Sequence, residues 1–406
     1  MKKYRLNKNQ KLFLIEYFFL NIYLWYRYAF RYNSTLTSPT YYDTPTIWKI
    51  GKYIIIVVFL GMYVVLNGFK IKSSYKKLTI LLMAVSIIIF VKAVIVKDIE
   101  FFAKWVLMIW AAYPMLTIRM TDGFQVRFLQ INKVIFIFHV VYSAVQCGLY
   151  ILQGRLPALA YRGGMVRFGG GYDDPNAFAI YLMLPIAYIL YNIIKEHGKT
   201  KDYILLAICI VLLIMTISFA GFLALGIVGI LFLKKYCKKK RMFNLVCLAL
   251  MCAVIGAVTF EDTIISILGA KQESASQHLG MLIPYIEDTA ADVYAFGTRK
   301  FYFSENFYNQ ILNYFGMLFF VAYVGFKIWI IKMAYRASRT SEDKYSYIAF
   351  VYITSFSIAQ IGIPYTTVFP VNFLYWCCVF FVCRVLIKNR REKLFNRNNV
   401  VIDRYE

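Results

Sequence analysis

The residues best suited to chemistry stand in a polar stretch between two long apolar runs. Arg155, Arg162 and Arg167 follow one another there, and five glycines lie beside the last two of them. A guanidinium group keeps its charge and pairs with phosphate through a planar fork of donors. Glycine allows successive backbone N–H groups to converge on an anion. We interpret the stretch as an anion site; the simpler alternative is that each arginine reaches lipid headgroups.

The residues that follow predict the start of a helix. Asp174 suits the N-cap position and Pro175 the first helical position, with Asn176 directly behind them. Because the N-terminus of a helix carries partial positive charge, it favours a nearby anion. We therefore expect Asp174 and Asn176 to border the anion site, although the same residues would also cap an ordinary membrane span.

A second polar stretch, further along the chain, combines cations with a carboxylate. Arg299 and Lys300 precede Glu305, and His278 lies upstream of them. A carboxylate close to cations is suited to act as a general base toward a hydroxyl group. The competing interpretation is structural, with Ser304 as the cap of the next helix and Glu305 complementing the dipole of its first turn.

The elements that hold these residues are membrane spans. The chain has 406 residues, of which 60% are hydrophobic and 17% charged, whereas about a quarter of the residues of soluble domains are charged. Apolar runs long enough to cross a bilayer predict twelve spans, near residues 12–32, 52–69, 78–97, 101–118, 133–152, 176–194, 203–217, 219–233, 242–260, 306–329, 345–363 and 371–387.

The net charge of +25 is distributed unevenly across these spans. With the loops assigned to alternate sides, the side of both termini holds 33 Lys or Arg and 9 Asp or Glu, and the other side holds 13 and 12. This asymmetry is typical of the positive-inside rule. We therefore expect both termini in the cytoplasm, and we attribute the charge to topology rather than to binding of nucleic acid.

Two basic clusters, residues 195–202 and 234–241, are both expected on the cytoplasmic side. The apolar run between them must then cross twice, as spans 203–217 and 219–233. Each arm has about fifteen residues and is about 22 Å long, which is shorter than the hydrocarbon layer. The turn at residues 216–221 must be covered by protein or by a water-filled cavity, because lipid cannot satisfy polar backbone groups.

The two polar stretches fall in the long loops of the opposite, outer face. Residues 153–175 hold the arginines and residues 261–305 hold the second stretch, in which residues 278–297 predict an amphipathic helix. The predicted fold is an all-α, polytopic membrane protein whose residues 1–406 form a single transmembrane domain. The eight cysteines lie in predicted spans or basic loops, so the sequence predicts no disulfide, and it indicates no metal site or cofactor.

Several of these segments resemble the O-antigen and capsule polymerases of the Wzy type and the O-antigen ligases. RFGGGYDDPNAFAIYL is similar to the signature R-x-G-…-[ND]-P-N-x-x-A-x-x-L, and TISFAGFLALGIVGIL to the T-x-S-R-[SG]-x-x-x-[AG] hairpin that follows it. The glycine turn at residues 295–298 and SENFYNQILNYFGML resemble the G-x-G and [HE]-[SN]-x-Y-x-x-[IL]-x-x-x-G elements. The resemblance covers residues 160–330.

The resemblance implies glycosyl transfer at the outer face of a bacterial plasma membrane. An acceptor hydroxyl would displace undecaprenyl pyrophosphate from a lipid-linked oligosaccharide, without metal or cofactor. The implied partners are this lipid-linked substrate, membrane lipid, and a chain-length regulator and flippase of the same pathway. The resemblance makes Glu305 the base and Arg167 the first pyrophosphate ligand, while the other expected pyrophosphate ligands are Arg155, Arg162, Arg299 and Lys300, and the expected positioning residues are Asp174, Asn176, Ser218, His278 and Asn306.

The chain departs from the family pattern at two positions. Phe219 stands where the hairpin arginine is expected, and Ser276-Gln277-His278 where an arginine of the long loop is expected. A glutamate at position 305 suits the polymerases better than the ligases, in which a histidine precedes the helix. A ligase with nearly the same chemistry is the first alternative, and a flippase or other transporter of lipid-linked oligosaccharides is the second.

Overall fold

The computed structural model describes residues 5–29, 46–68, 75–153, 160–162, 165–172, 174–236, 297, 306–340, 344–362 and 368–402. These residues fold mainly as helices. Seven of the described helices are long and apolar enough to cross a membrane. The composition therefore predicted correctly a mostly helical, multi-pass membrane protein, while the number of twelve crossings stays a prediction.

The helices follow the predicted spans closely for most of the chain. In order, those of the described residues are α1 (Lys8–Ala29), α2 (Thr46–Asn67), α3 (Lys76–Val96), α4 (Ile99–Phe102), a π-helix (Ala103–Leu107), α5 (Met108–Ala112), α6 (Pro114–Thr117), α7 (Asp122–Gln153), α8 (Pro175–Lys195), α9 (Thr200–Met215), α10 (Phe219–Tyr236), α11 (Phe307–Thr340), α12 (Lys344–Ala359) and α13 (Val371–Ile402). The predicted span 242–260 lies outside the described residues, and so does the amphipathic stretch 278–297 except for Gly297.

The predicted span 101–118 differs from a regular helix. Three short α-helical pieces and a π-helical turn replace it, and the last piece begins at Pro114. Proline suits the first position of a helix, because its missing N–H has no partner there in any case. The same property interrupts the helix that precedes it.

A two-stranded ribbon departs from the all-α prediction. Strand β1 (Ala160–Arg162) pairs antiparallel with β2 (Met165–Arg167), with Ala160 opposite Arg167. Helical periodicity gives no signal for so short a ribbon. Its consequence is that Arg167 stands at the end of a strand, just before the glycine segment.

Helices α8 and α12 lie at the centre of the bundle. All residues from Ser346 to Ser357 of α12 are buried, and α8 packs against α9, α10 and α12. Helices α2 and α3 instead expose large apolar side chains such as Val65 and Ile87. A helix that is apolar on all sides belongs in a core or a membrane, so we assign these exposed faces to the lipid.

Helix α11 is broken at Gly316, whose φ of 80° and ψ of 179° are not helical. The ring of Phe307 lies 5.6 Å from the ring of Tyr323, although a continuous helix would separate these residues by about 24 Å along its axis. Residues 307–315 therefore fold back along the part of α11 that follows Gly316. The predicted span 306–329 falls within the candidate span Phe307–Thr340, but its first residues are a returning segment rather than part of a straight crossing.

Candidate functional site

Arg167 joins the glycine segment to the turn between α9 and α10. Its Nε donates to the carbonyl oxygen of Thr216 at 2.9 Å, and its Nη2 donates to Oδ1 of Asn176 at 2.8 Å. The hydroxyl of Ser218 donates to the same Oδ1 at 2.7 Å. We call Arg167, Asn176, Thr216 and Ser218 the arginine cluster. Three of the predicted site residues thus meet within hydrogen-bond distance.

The start of α8 has the predicted capping geometry. A side-chain oxygen of Asp174 accepts from the backbone N–H of Asn176 at 2.9 Å, and also from its side-chain amide at 2.9 Å. Pro175 occupies the first turn. The prediction of a helix start at these residues is confirmed, and the cap also fixes the amide of Asn176 toward Arg167.

The turn between α9 and α10 is buried, as the short arms predicted. The arms have 16 and 18 residues, and Thr216 and Ser218 are wholly inaccessible to solvent. The backbone N–H of Phe168 donates to the carbonyl oxygen of Met215 at 3.0 Å, which satisfies one of the orphaned groups at the end of α9. Protein covers this polar backbone, so the prediction for the turn is confirmed.

The position of the missing family arginine directly follows the arginine cluster in the chain. Phe219, which occupies its position, is 67% exposed, whereas the neighbouring Ser218 is fully buried. An arginine at position 219 would begin its path on the outside of this turn.

The glycines serve close packing within the described residues. Gly170 has a φ of +56°, and a Cβ there would overlap the ring of Phe178. The carbonyl oxygen of Gly170 is hydrogen-bonded to Nδ1 of His139, whose ring stacks on Tyr172 with 5.0 Å between centroids. His139 is therefore a buried packing and hydrogen-bonding residue, as its position in an apolar run predicts, and Gly170 is required by the ring above it.

Burial also changes the interpretation of Arg167. The side chain is buried, with the residue only 5% exposed, and its two hydrogen bonds above go to the protein itself. It acts on the structure as a bridge between two segments, and a direct contact with a diphosphate stays a prediction.

Asn306 begins α11 and is linked to the arginine cluster through the end of α12. Its Oδ1 accepts from the backbone N–H of Tyr308 at 2.9 Å, so Asn306 caps the helix in the place expected for Ser304. The N–H of Phe307 donates to the carbonyl oxygen of Gln360 at 3.2 Å. Two residues beyond Gln360, the end of α12 touches the start of α10, where a Cβ added at Gly362 would lie 3.2 Å from Cβ of Ala220. Contacts therefore run without a gap from Ser218 to Asn306.

The glycine turn of the long loop also meets α11. Gly297 has a φ of +76°, and a Cβ there would lie 2.5 Å from the carbonyl oxygen of Asn313. Only a glycine permits this approach to the residues just before the break at Gly316. Two of the segments that carry the family resemblance, the glycine turn and SENFYNQILNYFGML, are therefore in contact.

The remaining predicted site residues cannot be placed in this arrangement. Arg162 lies on β1, with only its backbone described. The others lie outside the described residues, namely Arg155, His278, Arg299, Lys300 and Glu305. Within the described chain, no group of three or more His, Cys, Asp or Glu side chains suits a metal ion.

A cavity of about 560 Å³ opens elsewhere, between the ends of helices on the basic face. Lys133, Lys199 and Lys201 contribute to its lining, and Glu196 holds Lys344 through a salt bridge of 2.9 Å. Burial lowers the pKa of Lys344, but the hydrogen bond that Nζ donates to Glu196 and the charge interactions with Tyr188, Tyr345 and Glu196 raise it by more, so the pKa lies above its usual value. This cavity does not include the arginine cluster, and we do not assign the glycosyl-transfer chemistry to it.

Sequence reasoning missed Lys327 of α11, which is 2% exposed. Its Nζ lies 4.0 Å from the centre of the Tyr375 ring and has no hydrogen-bond partner among the described residues. The one feature of the sequence that could have pointed to Lys327 is that it is a lysine within the apolar run FVAYVGFKIWII. Its position close to the end of the predicted span makes it look like an ordinary interfacial lysine.

The fold and these contacts define a mostly helical, multi-pass membrane protein with a buried polar cluster at the starts of α8 and α10. No protein-family model, curated protein or solved structure matches the chain. The resemblance to the polymerases and ligases therefore depends on the motifs alone.

Proposed function

We propose that this protein joins undecaprenyl-pyrophosphate-linked oligosaccharide units into a surface polysaccharide at the outer face of a bacterial plasma membrane. The observation that carries the proposal is the arginine cluster. Arg167 and Asn176 belong to one segment that resembles the family signature, and Thr216 and Ser218 belong to the other. If the two segments resembled the family motifs only by chance, they would have no reason to lie together in the fold. Instead their side chains share one hydrogen-bond network.

In the proposed reaction an acceptor hydroxyl attacks the anomeric carbon of the donor. A new bond forms between the hydroxyl oxygen and that carbon, while the bond from the carbon to the pyrophosphate oxygen breaks. The bonding electron pair leaves with the polyprenyl pyrophosphate, and the hydroxyl proton passes to Glu305. Glu305 is the proposed base because it directly precedes Asn306, which begins α11 and is linked to the arginine cluster through the end of α12.

Arg167 has the properties of a fixed charge in this reaction. Its guanidinium group is buried and held by Thr216 and Asn176, so its position needs no reorganisation when charge develops on the leaving group. Preorganised charges of this kind stabilise a transition state more than mobile ones. Direct contacts with the pyrophosphate are proposed for the loop cations Arg155, Arg162, Arg299 and Lys300.

Incubation of the purified protein in vesicles with a defined lipid-linked repeat unit tests the proposal. We expect a ladder of polymer on a gel, which Arg167→Ala and Glu305→Ala each abolish. Arg127→Ala is the matched control, because Arg127 is an exposed arginine of α7 on the basic face. Arg167→Lys and the melting temperature of each variant separate lost chemistry from lost folding.

The outcomes discriminate between the functions considered. If both Arg167→Ala and Glu305→Ala form a ladder like that of the wild type, the assignment of these site residues is wrong. If the wild type forms no product, the proposed polymerase function is wrong. Transfer of glycan only to a different acceptor would identify a ligase.

The cavity on the basic face favours a transporter of lipid-linked oligosaccharides as a second candidate function. Its volume, its mainly apolar lining and its charged rim, in which Lys133, Lys199 and Lys201 stand beside Glu196 and Asp202, suit an amphiphile approaching from the side predicted to be cytoplasmic. Movement of a fluorescent lipid-linked oligosaccharide between leaflets, with no new glycosidic bond, would support this candidate over the polymerase.

A further inference from the structure

Lys327 is a buried cation for which the described protein provides no anion. Its residue is 2% exposed, and no hydrogen bond to Nζ is formed among the described residues. Three rings surround the ammonium group, those of Tyr375 at 4.0 Å, Tyr323 at 5.4 Å and Phe356 at 5.7 Å from Nζ to the centroid. Cation–π contacts compensate only part of the lost hydration. An ionisable side chain in this position within a membrane span is by default a functional candidate.

The lysine lies on the side of the bundle where α11 begins. The ring of Tyr323, which faces Nζ, is 5.6 Å from the ring of Phe307 and 6.1 Å from the ring of Tyr308. Tyr308 donates to the carbonyl oxygen of Ser357 at 2.7 Å, and Ser357 directly follows the Phe356 that contacts the lysine. The fold-back at Gly316 therefore brings the start of α11 to the level of Lys327.

Two independent features at this place favour an anion. The segment 307–315 directs the positive end of its dipole toward the region around Asn306. Nζ of Lys327 adds a buried donor that has no hydrogen-bond partner among the described residues. Half-helices that begin inside a membrane are used elsewhere to bind anionic groups of substrates. A lysine side chain is a flexible four-carbon stem, so Nζ can exchange its weak ring contacts for a charged ligand.

We propose that Lys327 binds a phosphate-bearing group at the start of α11 and is a positioning residue for the substrate. The inference rests on the proposed function in one respect, because the source of the phosphate would then be the lipid-linked donor. It adds a buried lysine to the cations predicted in the loops, and it gives the fold-back of α11 a role in forming the site.

Binding measurements on the purified full chain in detergent test the inference without polymerisation. The probes are inorganic pyrophosphate and farnesyl diphosphate, and the variants are Lys327→Met, Lys327→Arg and Lys332→Met. Lys332 is an exposed lysine of the same helix and is the matched control. We expect Lys327→Met to weaken binding of both probes about tenfold or more, Lys327→Arg to retain most of it, and Lys332→Met to change neither.

The two probes and the stability of the variants decide the alternatives. Binding of farnesyl diphosphate alone, weakened by Lys327→Met, would assign the phosphate to a lipid, whereas equal binding of both probes would assign the site to phosphate in general. If Lys327→Met binds both probes as the wild type does, or if the wild type binds neither, the inference is overturned. Unchanged or increased melting temperature with unchanged binding would identify a structural lysine, because removal of a merely buried charge is often stabilising.

Failure of this inference is distinguishable from failure of the proposed function. If Lys327→Met forms the same polymer ladder as the wild type, the role of Lys327 in binding the substrate is rejected and the proposed polymerase function is retained. If the protein forms no polymer but binds the probes in a way that depends on Lys327, the polymerase function is rejected and the binding role of Lys327 is retained.

Discussion

Asn176 shows how one side chain can hold two distant segments together. Its Oδ1 accepts from Arg167 and Ser218, and its amide donates to Asp174. The donors are buried, and a buried donor without a partner costs about 1–3 kcal/mol. The order of these residues along the chain does not reveal this arrangement, because Ser218 is 42 positions away.

At the residue scale we predict that Asn176→Ala lowers the melting temperature of the purified protein by several degrees. The change leaves Nη2 of Arg167 and the hydroxyl of Ser218 without their acceptor. Differential scanning fluorimetry in detergent measures the effect.

The control is Asn192→Ala, near the other end of the same helix, where Oδ1 of Asn192 has no hydrogen-bond partner among the described residues. We expect little change from it. Equal melting temperatures for Asn176→Ala and the wild type would show that the arginine cluster contributes nothing to stability.

At the scale of elements, the break in α11 determines which residues meet. The chain reverses at Gly316, and Trp105 of the π-helix packs at 6.1 Å against both Phe307 and Tyr323. A φ of 80° with ψ near 180° is accessible essentially only to glycine. The turn between α9 and α10 is a comparable device, since Ile217 has a φ of +46° and the surrounding protein must stabilise this conformation.

The fold-back predicts a chemical cross-link within one helix. In a background without other cysteines, Phe307→Cys with Tyr323→Cys should be joined by a short bifunctional thiol reagent, because their side chains are adjacent. Mass spectrometry of a protease digest detects the product.

The unbroken helix α7 provides the control at the same spacing, with Ile131→Cys and the native Cys147. These positions are about 24 Å apart along a continuous helix, so no link is expected. Adding Gly316→Ala should reduce the yield of the 307–323 link, whereas Gly325→Ala, which has open space around it, should not. A high yield from the α7 pair or none from the α11 pair would refute the fold-back.

At the scale of the whole molecule, the distribution of charge sets the orientation in the membrane. The ends of α8 and α10 and the start of α9 carry lysines, and Lys344 at the start of α12 pairs with Glu196 after α8. The arginine cluster lies at the other ends of α8, α9 and α10. The bundle therefore has a basic face and, at the opposite ends of these helices, the face with the proposed chemistry.

This arrangement predicts the outcome of topology reporters. A reporter fused after Lys240 should score as cytoplasmic, because α9 and α10 cross as a hairpin and return the chain to the basic face. A reporter after Gln153 is the control and should score on the opposite side. An outer location for Lys240 would exclude the hairpin, and with it the buried turn that holds Ser218.

The sequence alone predicts the spans, the orientation and the local start of α8. Apolar length, the excess of lysine and arginine in alternate loops, and the Asp174–Pro175 cap are local or additive properties, and they can be read without knowing the fold. The short arms also indicate a covered turn, because the length of a helix per residue is fixed.

Only the tertiary structure decides which polar groups share a site. The three-way contact of Arg167, Asn176 and Ser218 and the burial of Lys327 depend on how α8, α10, α12 and α13 pack, and no local pattern encodes that packing. Gly316 is a single glycine in an apolar run, and nothing in that run marks the reversal that its positive φ produces. The sequence predicted a cationic loop between two membrane spans. The packing determined that Arg167 is buried and that Lys327 has no hydrogen-bond partner among the described residues near the start of α11, because burial and pairing are properties of neighbours in space rather than in sequence.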